Sequence, residues 1–303
     1  MPGGGDPSGE GKTDPGTENP GSGEKPGGGD NPSSGDDKKD ETKTLSLNVE
    51  LSADGSLGYV PENGDMMGLT VLYGRESFLL EGNVPDNVPL VYGPDLWKFS
   101  EPLRFVDQGV MADFCCCIPL PESVFEDGLY KAVVQTDQSI PDGFHKSFCL
   151  YGKSWRTKLS EKSVKLDMEN LTGRMTLVLK AGSGWTQEEV DAASVVFSSL
   201  ATSAEVKLES GEIVSVGDVA DVRPMSEGDG RWTAVVVPQT VSGDAVLARI
   251  NVGEEEYLLK SSVVFEKGKH QICTMVLSKT GGKFGVDVVG WVTDEIDYGG
   301  DTI

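Results

Sequence analysis

Residues 204–216 read AEVKLESGEIVSV, and their pattern decides the fold class. Apolar and charged residues alternate from Ala204 to Glu209, and the alternation resumes after Glu212. Between the two runs lies Ser210-Gly211, a dipeptide typical of a tight turn. Successive side chains of a strand point to opposite faces, so this period of two predicts two half-buried strands joined as a β-hairpin.

The same period of two recurs along most of the chain. It is clearest in LSLNVELS (45–52), GLTVLYG (68–74), GLYKAVVQT (128–136), RMTLVLK (174–180) and HQICTMVLSK (270–279). Many short strands at this spacing predict an all-β fold, arranged as an antiparallel sandwich or barrel. Only TQEEVDAA (186–193) offers a helix start, with Thr186 and Glu189 at the two positions of a capping box. We therefore expect one short helix at most.

Length and charge limit the classes of function. The chain has 303 residues, enough for two ordinary domains, and a formal net charge of −23. A strongly acidic protein is repelled by nucleic acid and by anionic membrane surfaces, so we expect neither as a partner. No run of eighteen apolar residues is present to span a bilayer.

Residues 2–42 contain no aliphatic, aromatic or sulfur-bearing side chain. Such a stretch buries too little apolar surface to offset the entropy lost on ordering, so residues 1–43 are predicted to be a disordered tether. A linker left from expression is the alternative interpretation. No basic run followed by an apolar run stands in the first residues, so we expect no signal peptide in the sequence as given, and its five cysteines are an odd number. We expect a targeting segment with a sixth cysteine to precede Pro2 in the natural precursor.

Three of the cysteines are consecutive in DFCCCIPLP (113–121). In a strand, Cys116 points to one face and Cys115 and Cys117 to the other, so neighbouring pairs are poorly placed for a disulfide. Zinc sites use Cys-x2-Cys pairs or suitably spaced histidines, and neither His145 nor His270 supplies one. The pattern favours cysteines that fill a core. A disulfide with Cys149 and a metal site are the alternatives.

Motifs of catalysis are missing from the sequence. It has no nucleophile elbow, HExxH pair, EF-hand loop or dinucleotide fingerprint. We therefore expect no enzyme activity, no catalytic or metal-binding residues and no cofactor. The acidic segment TDEIDYGGD (293–301) is interpreted as a solvated end. Trp155, Trp185 and Trp232 are of the residue type that stacks on sugars, but core positions are the more common use of tryptophan.

The C-terminal third resembles the fimbrillin family, the pilus subunits and pilus-associated lipoproteins of Gram-negative anaerobes. The resemblance lies in SLATSAEVKLESGEI (199–213), WTAVVVPQTV (232–241), EYLLKSSVVFEKGKHQICTMVLSKTG (256–281) and VDVVGWVTDE (286–295). DFCCCIPLP and DGLYKAVV in the first half are weaker matches. The similarity covers residues 160–300 well and residues 44–160 loosely.

The resemblance implies two tandem antiparallel β-sandwich domains of transthyretin-like topology, here residues 44–160 and 161–303. It implies a non-enzymatic pilus component of the cell surface or fimbrium. Its partners would be other pilus subunits, together with a host or bacterial surface receptor. The resemblance also implies an outer-membrane lipoprotein, so membrane contact would be made only through a lipid anchor that this chain lacks.

Family members assemble by strand donation, and this sequence offers candidates for both roles. The first strand alternates Leu45, Leu47, Val49 and Leu51, and it follows the tether, so it is expected to leave its sheet and open a groove. The donor candidate is the segment 292–298, with Val292, Ile296 and Tyr298 on one side and Asp294 among them.

One departure from the family bears on position in the pilus. Stalk members are cut after the first strand by an arginine-specific protease, but the first arginine here is Arg75. This difference favours an anchor or tip subunit over a stalk subunit. The alternative class is a surface glycan-binding β-sandwich lipoprotein, which would display exposed aromatic side chains in a row on one sheet face.

Overall fold

The computed structural model describes residues 42–50, 58–94, 96–124, 127–279 and 281–290, and for 47–50 and 281–290 it gives backbone pairing alone. The predicted tether, apart from its last two residues, and the acidic C-terminal segment lie outside the described residues.

Twenty-one strands and two short helices, with two single 3-10 turns, make up the described chain. The first-half strands are β1 Thr42–Thr44, β2 Ser46–Glu50, β3 Met66–Tyr73, β4 Val88–Gly93, β5 Leu96–Phe99, β6 Arg104–Val106, β7 Met111–Ile118, β8 Leu129–Val133, β9 Leu150–Lys158 and β10 Ser163–Asn170. The second-half strands are β11 Gly173–Ala181, β12 Ser194–Lys207, β13 Ile213–Val222, β14 Met225–Gly228, β15 Arg231–Val236, β16 Gln239–Val241, β17 Val246–Val252, β18 Glu255–Lys260, β19 Val263–Phe265, β20 Lys269–Ser278 and β21 Gly281–Gly290. The helices are α1 Pro141–His145 and α2 Gln187–Asp191. The all-β prediction is confirmed.

Seven of the first strands form one sheet in the order β2-β10-β9-β7-β3-β4-β5. Its two edge strands, β2 and β5, lie close to each other, so the sheet curls around its own core. Pairing in this sheet is antiparallel except between β2 and β10, which run parallel. Strand β1 pairs separately with β6.

The second half forms two sheets that pack face to face. Their orders are β14-β15-β11-β20-β21 and β13-β12-β17-β18, with β11 and β20 parallel. Buried side chains of both sheets, such as Leu177, Phe197, Trp232 and Ile250, form one apolar cluster between them. Strand β8 of the first half pairs with β12 and so links the two halves.

Two hydrophobic cores follow each other along the chain. The first contains buried residues from Leu45 to Leu171 with a few from 204–237, and the second extends from Met175 to Leu277. Two cores are compatible with two tandem domains. Strand β10 pairs with β9 and β2 in the first sheet, and the domain limits of 44–160 and 161–303 stay a prediction.

The expected helix at TQEEVDAA is present, but it is not the only one among the described residues. Thr186 is the N-cap of helix α2 and forms the predicted capping box. Its Oγ1 accepts from the N–H of Glu189, and the Glu189 carboxylate accepts from the N–H of Thr186. The limit of one helix was wrong, because α1 is a second one with Pro141 in its first turn. Five residues are too few to show a helical period in sequence. No helix among the described residues is long and apolar enough to cross a bilayer.

The prediction that the cysteines fill a core is confirmed. All five are buried, and none of them forms a disulfide. Cys116 lies with its Sγ 3.5 Å from Sδ of Met168, and burial raises the pKa of Cys117 and of Cys149 to about 12. Cys115 is buried as fully as Cys116, because both faces of β7 are covered at this point. The β12–β13 hairpin covers the second face, where its Leu208 carbonyl accepts a hydrogen bond of 2.8 Å from Tyr151 Oη.

Candidate strand-exchange site

Strand β2 occupies an edge of the seven-stranded sheet. Its Cα register with β10 runs from Ser46 opposite Ser163 to Glu50 opposite Asp167. The N–H of Ser46 donates to the Lys162 carbonyl at 2.7 Å. A strand held along one side, in a parallel pairing that is slightly weaker per residue than an antiparallel one, is among the elements of a sheet that leave most easily.

The segment that precedes β2 is anchored at two further points. Leu45 is buried, with 2% of its surface exposed, and its N–H donates to the Leu103 carbonyl at 2.9 Å. Lys43 forms an ion pair of 2.8 Å with Asp107, and this contact together with the N–H of Gly109 lowers the pKa of the Asp107 carboxyl. Release of the first strand therefore has to break the β1–β6 pairing and withdraw Leu45 from the core.

Strand β10 is the surface that β2 covers. Its side chains alternate between exposed and buried, with Val164, Leu166 and Met168 in the core. Departure of β2 would leave the N–H and C=O groups of one β10 edge unpaired, and these groups accept another strand. Sequence reasoning missed β10 as the partner, since a parallel pairing between positions more than a hundred residues apart leaves no local signal.

The predicted exchange residues fall into two groups. Leu45, Leu47 and Val49 lie in or next to β2, and the register places Leu47 and Val49 opposite Val164 and Leu166. Leu51, Val292, Ile296 and Tyr298 lie outside the described residues. At that end, the described chain stops with β21, an edge strand that pairs with β20 along its whole length from Gly281 to Gly290. The roles of all these predicted residues in strand exchange stay predictions.

The first arginine, Arg75, follows β3 and is fixed by hydrogen bonds of its side chain. Arg75 begins a 3-10 turn whose Ser77 and Phe78 are buried. Its guanidinium forms a bidentate pair with the Asp86 carboxylate, with hydrogen bonds of 2.7 and 2.6 Å, and donates to the Val71 carbonyl at 2.7 Å. A protease needs an extended segment of backbone, and this turn does not offer one.

Within the described part of the chain, no cluster of three or more histidine, cysteine, aspartate or glutamate side chains is placed to hold a metal ion. The arrangement at β2 and β10 is instead suited to binding a strand.

Comparisons with known proteins bear on the fold and on the family of the chain. A candidate cell adhesion protein of Bacteroides uniformis has 18% identity and a TM-score of 0.64, with 84% of this chain and 99% of the other covered. A second one, of Bacteroides ovatus, has 13% identity and a TM-score of 0.65, with 84% and 100% covered. At these identities the likeness is one of fold. No curated protein matches the sequence. The model of the fimbrillin-like family matches residues 58–291, well over half of the chain. The chain therefore belongs to the fimbrillin-like family.

Proposed function

We propose that the protein is a structural subunit of a surface pilus and joins a neighbouring subunit by strand donation. Family membership supports a structural role at the cell surface, and the edge position of β2 is the observation that carries the mechanism. Its partners are other pilus subunits and a host or bacterial surface receptor. We also propose that a lipid anchor holds it in the outer membrane.

In the proposed exchange, β2 leaves the sheet and a strand from the next subunit takes its place on β10. The incoming strand restores the backbone hydrogen bonds, and its apolar side chains replace those that leave. The segment 292–298 of a second copy or of a related subunit is the proposed donor. As an anchor or tip subunit, the chain itself forms one such junction, in which it accepts the strand at β10.

A disulfide lock tests whether β2 has to leave. Ser46 and Ser163 are Cα partners, and neighbouring strands lie about 4.8 Å apart, within the range that a disulfide spans. We expect the double variant Ser46→Cys and Ser163→Cys, once oxidised, to be lost from the pili of producing cells. Reduction should restore its incorporation, as measured by immunoelectron microscopy of pili.

The control is a disulfide of the same kind between two strands that stay paired during the proposed exchange. Glu205 of β12 and Ser215 of β13 are Cα partners, and both are exposed. The oxidised variant Glu205→Cys and Ser215→Cys should enter pili normally. Normal incorporation of the oxidised Ser46–Ser163 lock would refute the proposed exchange.

The position of the subunit is proposed to be the anchor or the tip. No arginine lies between Thr44 and Tyr73, and Arg75 is held in its turn by Asp86. We expect brief digestion with an arginine-specific protease to leave the first strand in place and to produce no fibres. N-terminal sequencing and electron microscopy of the digest measure both results. Fibres that appear together with release of residues up to about 55 would restore a stalk role.

A further inference from the structure

Three neighbouring strands end together at one corner of the seven-stranded sheet. Tyr73 of β3 is the Cα partner of Asp113 of β7, and the Asp113 carboxylate accepts a hydrogen bond of 2.6 Å from the N–H of Arg156 on β9. Together with Val110 and Met111, these three residues line a cleft of about 360 Å³.

The pleat places two aromatic rings on the face that carries this cleft. Directly paired residues share a face, so Tyr73 lies on the face of Asp113. Cys115 shares that face and pairs with Lys153, so Trp155, two residues further along β9, also belongs to it. Lys153 confirms the placement, since its Nζ lies 4.8 Å from the centre of the Trp155 ring.

Both rings are open to solvent. Tyr73 is 66% exposed and Trp155 is 56% exposed, so the expectation that Trp155 is a core residue was wrong. The β12–β13 hairpin covers this face at Tyr151, further along β9, and leaves the corner with Tyr73 and Trp155 open. The two strands are separated by β7, which sets their backbones about 10 Å apart.

The backbone at this corner is irregular on both sides of Asp113. The β3–β7 register shifts between Val71 and Tyr73, and the β7–β9 register shifts between Ala112 and Phe114. Arg156 adopts the left-handed region with φ of 50°, although it is not glycine. Bulges and strained residues collect at binding sites, where they re-aim side chains. Here they bring the backbone N–H of Arg156 within hydrogen-bonding distance of the Asp113 carboxylate.

We propose that this corner is a binding site for a neutral oligosaccharide. Exposed Tyr73 and Trp155 rings, two strand spacings apart, offer stacking surfaces for two positions along a sugar chain. Asp113 accepts from sugar hydroxyls, and Arg156 donates to them. The net charge of −23 repels acidic polysaccharides, which leaves neutral ones. This function is additional to strand donation and does not depend on it.

Affinity electrophoresis of the purified chain tests the site. The gels contain mannan, xyloglucan or dextran as neutral probes and polygalacturonate or hyaluronan as acidic ones. We expect retardation by at least one neutral polysaccharide. Tyr73→Ala and Trp155→Ala should each weaken that binding at least tenfold, whereas Tyr73→Phe, which keeps the ring, should retain it.

The control is Val219→Ala, a change at a side chain of β13 that is also 66% exposed. It should leave the retardation unchanged. Thermal unfolding of each variant shows that the fold is kept. The proposal is overturned if no gel retards the protein, if the acidic gels alone do so, or if Tyr73→Ala and Trp155→Ala bind as the unchanged chain does.

Discussion

Replacement of Gly211 by alanine is expected to lower the free energy of unfolding by about 3 kcal/mol. Gly211 lies in the turn of the β12–β13 hairpin with φ of 67°, a conformation that strains alanine. A Cβ at this position would lie 2.5 Å from Cδ1 of Tyr151. The ring is buried, and its hydroxyl is held by the Leu208 carbonyl, so it has no room to move away. Denaturant unfolding measures the loss.

Gly268→Ala is the matched control for the strain. Gly268 has φ of 66°, and a Cβ there would meet no atom within 4 Å. Its replacement should cost only the backbone strain, about 1 kcal/mol. The difference between the two variants then measures the overlap with Tyr151. Equal losses would show that the hairpin turn is not packed on the ring as described.

Gly211 also shows how far the sequence predicts the fold. The turn at Ser210-Gly211 follows from two local signals, alternation on both sides and a dipeptide that favours a turn. The contact with Tyr151 does not follow, since the tyrosine lies sixty positions earlier in a different strand. The same contact covers the outer face of β7. For this reason the core role of the cysteines was predictable, whereas the burial of Cys115 was not.

The candidate site was likewise predicted from the sequence only in part. Alternation predicted a strand at residues 45–52, and the structure has β2 at Ser46–Glu50. That this strand leaves its sheet was inferred from its adjacency to a polar segment and stays a prediction. The parallel pairing of this strand with β10 joins positions more than a hundred residues apart and was not visible in the sequence. Trp155 is exposed because the β12–β13 hairpin, which is distant in sequence, covers β9 at Tyr151 and does not extend to Trp155. Local chemistry therefore predicted which segments are strands, and long-range packing decided which of their side chains meet a partner.

His270 is expected to make the protein sensitive to mild acid. It is buried in β20, where it shares a hydrogen bond of 2.8 Å with Thr176 Oγ1. Thr176 in turn bonds to Thr233, which accepts from Nε of Arg174 at 2.8 Å. Burial, followed by the positive charges of Arg174 and Arg231, lowers the pKa of His270 from 6.5 to about 3.

The direction of the pH effect follows from proton binding. Between pH 6.5 and pH 3 the unfolded chain binds a proton at His270 and the folded chain does not, so acid favours unfolding. Stability is complete above pH 6.5 and falls by about 1.4 kcal/mol for each pH unit below it. The expected loss is about 2 kcal/mol at pH 5 and about 4 kcal/mol at pH 3.

Denaturant unfolding at pH 7, 6 and 5 of the unchanged chain and of His270→Asn measures this contribution. Asparagine retains a polar group near Thr176 but has no proton to gain in this range, so the variant should lose about 2 kcal/mol less than the unchanged chain between pH 7 and pH 5. His270→Asn itself lowers the free energy of unfolding at pH 7. This loss does not affect the test, because the test compares how the free energy of unfolding changes with pH in the two proteins. Parallel pH dependences for the unchanged chain and His270→Asn would show that His270 is protonated in the folded protein as readily as in the unfolded one. That result would rule out the buried, neutral histidine beside Thr176 and Arg174.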